Sequence, residues 1–312
     1  MPFPGRLLSK NHMCPNRFES GKLSSNKSSR QSRKSPAAAA LGVLAGAVVV
    51  PRAVAQVPSP LAEWQYTAGI PLEKMFERAP RTWRVDLGVG AAVRPVYPGD
   101  DRYRMMAGPS VSIRYRDRVF VSTGEGLGVD VVDTRHLQIG VALGYSLGRQ
   151  QSGDAFHLRG LGDIPVSASA LVFANYVVSK DFPLVLRAAA RRDIGGTDGW
   201  SGTFSVYMPL PGSSKRFHWF AGPTLTVGDA RYMRRWFGVT AAQAARSPYG
   251  VYDAHAGLKS YGAGLSAMWF MRKHWFLDVD AAVEALVNGA GHSPITQQPA
   301  TAAVDATVTY QF

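Results

Sequence analysis

Apolar and polar residues alternate with a period of two along most of the chain. In TWRVDLGVGAAVRP, Trp83, Val85, Leu87, Val89, Ala91 and Val93 share one face of an extended strand. Arg84, Asp86, Gly88, Gly90, Ala92 and Arg94 share the other. HLQIGVALGYSLG sets Leu137, Ile139, Val141 and Leu143 against Gln138, Gly140, Ala142 and Gly144. RFHWFAGPTLTVG and HWFLDVDAAVEAL repeat the alternation, the latter with Asp278, Asp280 and Glu284 on its polar face. The closing VDATVTYQF carries an apolar stripe (Val304, Ala306, Val308, Tyr310, Phe312) to the last residue, opposite Asp305, Thr307, Thr309 and Gln311. A soluble strand usually spans about five or six residues. These stripes match the roughly 9–11 residues of a tilted membrane-crossing strand.

The connections between stripes fall into two kinds. Short polar turns lie around Asp117, Asp133, Lys180, Ser213 and Lys273. Between them come longer pieces such as PVYPGDDRY, GRQQSGDAFHLRGLGD, RDIGGTDG, DARYMRRWFGVTAAQAARSPYGVYDAH and NGAGHSPITQQP. A transmembrane barrel has this asymmetry, with short periplasmic turns and long outer loops. With both termini on the periplasmic side, five short turns require twelve antiparallel strands. RVFVSTGEGLGVDVV must then hold two strands folded at Gly124–Gly126, and ten strands is the alternative. In that topology Trp83, Tyr115, Phe120, Tyr176, Phe182, Phe217, Trp219, Trp269, Trp275, Tyr310 and Phe312 gather near the short-turn ends. That is where an aromatic girdle meets the headgroups. The terminal Phe312, two residues after Tyr310, resembles the C-terminal signal by which outer-membrane barrels are delivered to the barrel-assembly machinery.

Charge changes the picture only at the N-terminus. The 312 residues hold 35 Lys and Arg against 22 Asp and Glu, a net +13. The segment AAAALGVLAGAVVV follows a basic stretch, is too short to span a bilayer as a helix, and precedes Ala53-Val54-Ala55, a small-residue cleavage pattern. Residues 1–55 read as a basic region and secretory signal cleaved after Ala55, residues 56–81 as a periplasmic segment, and residues 82–312 as the barrel. Cleavage removes nine of the basic residues and one acid, leaving a net charge of +5. Most of the excess that invites a nucleic-acid reading therefore belongs to the removed part. The single cysteine, Cys14, goes with it, so no disulfide framework is expected.

Candidate chemistry lies inside the barrel, at its mouth and at the N-terminus. The lumen face carries Arg84, Asp86, Arg94, Arg114, Arg116, Arg187, Arg191, Asp278, Asp280, Glu284 and Asp305. First and last strands are neighbours, so Arg84 and Asp86 are expected to meet Asp305 and, one strand on, Glu284. Asp278 and Asp280 point the same way about 7 Å apart, the arrangement of a general acid and base. The simpler reading is a lumen filled by Arg–carboxylate networks. The histidines form no metal-ligand spacing, and no G-x-S-x-G nucleophile motif occurs. GEGLG and GVGAA lie inside strand patterns with no helix following, which excludes a phosphate cradle. No catalytic residue, cofactor or metal is assigned. Trp64, Tyr66, Leu72 and Phe76 make residues 56–81 a candidate docking arm or plug. Arg231, Arg234 and Arg235, in RYMRRWFGVTAAQAARS with a short helix expected from Thr240, could meet lipopolysaccharide phosphates or fold into the mouth as a lid.

Several stretches taken in order resemble the MipA/OmpV family. They are WQYTAGIPLE, WRVDLGVGA, RPVYPGDDRYR, LRGLGD before Ile164, RDIGGTDGWSG, RYMRRWFGVTAAQAARS and AGLKSYGAG, followed by the aromatic C-terminus. The resemblance spans about residues 60–312. It departs from the pattern at Asp100, where a small polar residue is expected. It implies an outer-membrane barrel in contact with outer-membrane lipid and lipopolysaccharide. For some members it also implies a scaffold for murein synthesis that contacts a lytic transglycosylase and a bifunctional murein synthase. The expectation is a non-enzymatic adaptor. A narrow channel for a small solute is the alternative, and a barrel enzyme stands behind both.

Overall fold

The structure is a computed structural model and describes residues 82–134, 136–178, 184–214 and 216–312. Twelve antiparallel strands form one closed barrel. They are β1 (Trp83–Pro95), β2 (Tyr103–Tyr115), β3 (Val119–Ser122), β4 (Gly126–Asp133), β5 (Leu137–Ser146), β6 (Ser167–Val177), β7 (Val185–Ile194), β8 (Trp200–Pro209), β9 (Phe217–Gly228), β10 (Gly257–Arg272), β11 (Trp275–Leu286) and β12 (Ala300–Gln311). Each strand pairs with its sequence neighbour, and β1 closes on β12 with Asp86 opposite Gln311 and Val93 opposite Val304. The ten-strand alternative falls at β3 and β4, which fold back at Gly126 in the left-handed region (φ 84°) while the Ser122 hydroxyl accepts the Glu125 N–H at 2.9 Å.

The period-two pattern sorts the two faces. Leu87, Val89, Val129, Val141, Leu225 and Val304 are among the exposed apolar residues of the outer wall. A soluble protein would not leave such a band uncovered, whereas hydrocarbon matches it. Arg84, Arg94, Arg114, Gln138, Asn175, Arg187 and Asp305 are buried inside. At the short-turn rim Trp83 lies 4.6 Å from Tyr115 between ring centroids, Trp275 5.1 Å from Tyr310, and Tyr310 4.8 Å from Phe312. Trp269 is exposed on β10 opposite Phe217. The C-terminus is tied down, because Phe312 N donates to the Val85 carbonyl (3.0 Å) and Gln311 N to that of His274 (2.8 Å).

Phe120 does not belong to the girdle. It is 1% exposed and points into the lumen, where it sits directly opposite Gly128. Phe173 faces Gly140 in the same way. A Cβ on Gly128 or Gly140 would run into the ring of Phe120 or Phe173 respectively. The two rings lie 6.2 Å apart, with the Arg114 guanidinium 4.7 Å from the Phe120 centroid and that of Arg187 5.9 Å from Phe173. Arg114 also pairs with Asp130 at 3.1 Å. Glycine opposite an aromatic ring is how a narrow barrel makes room for a large side chain. Val177, Val185, Tyr207 and Phe220 form a second buried apolar group in the lumen. Arg116 sits in the β2–β3 turn at φ 49°, its guanidinium 5.3 Å from the Tyr115 ring, and not on the lumen wall.

The Gly140→Val variant should therefore lose about 1–3 kcal/mol, the usual cost of overpacking. Gly250→Ala, at a site with nothing within 4 Å, should be neutral. Urea unfolding midpoints in lipid vesicles check this, and equal shifts for both variants would contradict the packing.

Candidate functional site: the capped mouth and its cavity

The long loops fold against one another over the outer mouth. After Gly228 the chain turns into helix α1 (Ala230–Phe237), started by the Asp229 side chain, which accepts the Tyr232 N–H at 2.8 Å. Helical spacing puts Met233 and Phe237 on one face, where they pack with Ala254, Leu286 and Ala290. The short helix expected from Thr240 is α2 (Ala241–Ala244), opened by a capping box between Thr240 and Gln243. A second apolar cluster joins Tyr97, Leu158, Leu161, Val239 and Ile295 from four different loops. Hydrogen bonds pin these loops together. Arg149 Nη1 donates to the Trp236 carbonyl (2.8 Å), Arg246 Nε to that of Gly160 (2.7 Å), Ser293 Oγ to that of Phe237 (2.6 Å) and Tyr97 Oη to that of Ile295 (3.1 Å).

Burial shapes the ionisation of this cap. It raises the Tyr97 phenol, with Asp100 and Asp154 adding to the effect. It lowers Arg149 to about 10, which still leaves the guanidinium charged at neutral pH. Asp100 is pushed up to about 6 by burial and, further, by the neighbouring Asp154 carboxylate, against the pull of the Arg102 N–H. Asp154 moves the opposite way. Its own burial would raise it, but hydrogen bonds from His157 and Phe156 and the attraction of His157 together hold it low.

Beneath the cap lies a cavity of about 110 Å³. Arg94, Arg104, Arg191 and Lys259 line it against two carboxylates, Asp193 and Glu284, and α1 contributes Tyr232 and Trp236 as its roof. Lys259 is paired with Glu284 at 2.9 Å, and Ser260 Oγ donates to the same carboxylate. Thr197 Oγ1 donates to Asp193 Oδ2 at 3.0 Å. Arg94 and Arg104 stand directly opposite each other on β1 and β2. The cavity can thus hold a small, negatively charged group against cations and aromatic rings.

The lumen residues expected to form one network occupy different levels. Asp305 is opposite Asp280 on one side and Ala92 on the other. Asp86 is opposite Gln311 and Ser112, and Arg84 opposite Arg114. The expected meeting of Arg84 and Asp86 with Asp305 is therefore corrected by the register of β1 against β12. Arg94 lies nearer and attracts Asp305. Asp278, Asp280 and Asp305 do come together, and Glu284 is two levels further out with Lys259. Arg231, Arg234 and Arg235 share one exposed face of α1, with Arg235 Nη2 reaching the Asp163 carbonyl at 3.3 Å. The ring nitrogens of His136 and His274 bind the carbonyls of Val177 and Gln311 and so brace strand ends. Trp64, Tyr66, Leu72, Phe76, Phe182 and the proposed cleavage site lie outside the described residues.

Among the described residues no helix is long and apolar enough to cross a membrane, and here the strands do the crossing. A closed antiparallel barrel with an apolar outer band, an aromatic rim and a polar, packed interior defines an outer-membrane β-barrel protein, located in the bacterial outer membrane. The chain matches the family model described as MltA-interacting protein MipA over residues 87–312, and belongs to that family. No curated protein matches it by sequence. Solved structures similar to it include the NanC porin, at 9% identity and a TM-score of 0.40 over 72% of this chain and 98% of that one. The translocator domain of the autotransporter NalP from Neisseria meningitidis gives 11% identity and 0.39, over 84% and 100% of the two chains. An outer-membrane channel from Pseudomonas putida F1 gives 9% and 0.38, over 76% and 98%.

Replacing Arg149 by Met should orphan the Trp236 carbonyl inside the cap, at a cost of about 1–3 kcal/mol to loop docking. The 229–256 loop of cells expressing this variant should then be cut faster by external protease. Cutting at the rate of the unaltered protein would contradict the pinning role of Arg149.

Proposed function

We propose that this protein is a non-catalytic scaffold that anchors murein-hydrolysing and murein-synthesising enzymes to the inner surface of the outer membrane. Membership of a family described as MltA-interacting is the observation that carries the reading. The packed lumen and capped mouth suit it, because a barrel that presents a surface needs no open path. In this account residues 1–55 are the export signal, residues 56–81 lie in the periplasm, and Trp64, Tyr66, Leu72 and Phe76 dock the partner. The exposed Arg231, Arg234 and Arg235 contact lipopolysaccharide phosphates at the opposite end.

A second reading, uptake of a small anionic solute, is favoured by one observation: the cavity under the cap sets four cationic side chains against two carboxylates. Catalysis by Asp278 and Asp280 has less support, since both sit in a packed strand wall beside Asp305.

The scaffold is tested with protein purified from outer membranes and a purified lytic transglycosylase. Saturable binding is expected, weakened at least about tenfold (about 1.4 kcal/mol) when residues 56–81 are deleted. Undiminished binding after deletion would move the docking surface to the periplasmic turns, and no binding by either form would overturn the scaffold.

A further inference from the structure

Two outer loops bring three metal-ligating side chains to one buried point. Asp100, on the loop between β1 and β2, is fully buried, and its Oδ1 accepts the Arg102 N–H at 3.0 Å. Its Oδ2 is buried without a hydrogen-bond partner. Asp154 ends a 3₁₀ turn (Gln151–Asp154) on the loop between β5 and β6, and its side chain is also fully buried. Its Oδ1 accepts the N–H groups of Phe156 (3.1 Å) and His157 (3.2 Å) and meets Arg102 Nη1 at 3.0 Å. Its Oδ2 meets only His157 Nδ1, at 2.5 Å. Oδ1 of each aspartate thus faces backbone donors, while Asp100 Oδ2 has no donor and Asp154 Oδ2 has the His157 ring alone, a hydrogen bond that a metal shared by the two side chains would replace. One ligand atom from each of Asp100, Asp154 and His157 lies within 4.8 Å of the other two.

We infer that Asp100, Asp154 and His157 form a divalent transition-metal site, best matched to zinc, that clamps the β1–β2 loop to the β5–β6 loop in the cap. Two carboxylate oxygens and one imidazole nitrogen are the donors zinc accepts, with water as a fourth ligand. Calcium, which takes six to eight oxygens, is poorly served by an imidazole in a set of three. A buried carboxylate oxygen with no donor is costly. A cation satisfies it and at the same time offsets the repulsion between the two aspartates. Arg102 does not block the site, because it engages Asp154 through Oδ1. The half-exposed guanidinium can balance charge from outside. The role is structural: the metal joins residues 54 positions apart in the chain and holds the mouth shut.

The test is calorimetric titration of zinc chloride into detergent-purified, chelator-stripped protein at neutral pH. One site of micromolar affinity or tighter is expected, uncompeted by excess calcium. Asp100→Asn and His157→Gln should each weaken it at least about tenfold, given that even outer-shell partners of a metal ligand matter by 10–100-fold. His255→Gln, which alters an exposed histidine beside Asp253, should leave it unchanged. Heat-modifiable gel mobility shows that each variant is folded, and zinc should slow protease cutting of the unaltered cap but not of Asp100→Asn. Absence of zinc binding overturns the inference, as does binding that survives both ligand substitutions in folded protein.

Discussion

A peptide group in hydrocarbon has no water to bind, so every N–H and C=O that crosses must find a partner in the protein. Everything in this molecule follows from that constraint. An open sheet would leave two edges unpaired, and β1 against β12 removes them. This pairing explains why the chain keeps its alternation to Phe312, because the last strand is as much a wall as any other. It also explains how a terminus that would ordinarily fray is held by backbone bonds to Val85 and His274.

Closure fixes a narrow interior, which the chain fills by two means. Aromatic rings lie over glycines on the neighbouring strand, as Phe120 does over Gly128 and Phe173 over Gly140. Cations stack on those rings and pair with carboxylates, as Arg114 does with Phe120 and Asp130. The outer loops then build an apolar core of their own around Tyr97, Leu158, Leu161 and Ile295, over the end that faces outward. Among the described residues the result is a wall around a largely buried interior, with a small cationic chamber beneath the cap.

The barrel was legible because lipid imposes a strict rule on one face of each strand, and because turn length distinguishes the two ends. Strand order and C-terminal closure follow from those local signals, whereas the count, open between ten and twelve, is decided by β3 and β4 folding back at Gly126. Levels inside the lumen were not legible. Asp305 is set against Ala92 and Asp280 by the stagger between strands, which no single segment encodes. Phe120 looked like a rim residue by its position near a turn, yet its even number places it inward with Arg114. The helix from Ala230 was not expected, although Asp229 offers its start and Met233 and Phe237 its buried face, because its arginines Arg231, Arg234 and Arg235 dominate the segment's polarity. The cluster of Asp100, Asp154 and His157 had no spacing signature, since its members come from different loops.

A barrel packed within and capped without should not pass ions. Planar-bilayer recording on the protein extracted from outer membranes tests that claim most directly. No steady current is expected through the intact protein across the ordinary range of applied voltage. A steady, ohmic single-channel current from the intact protein would contradict it and would make the cationic chamber part of a conducting path.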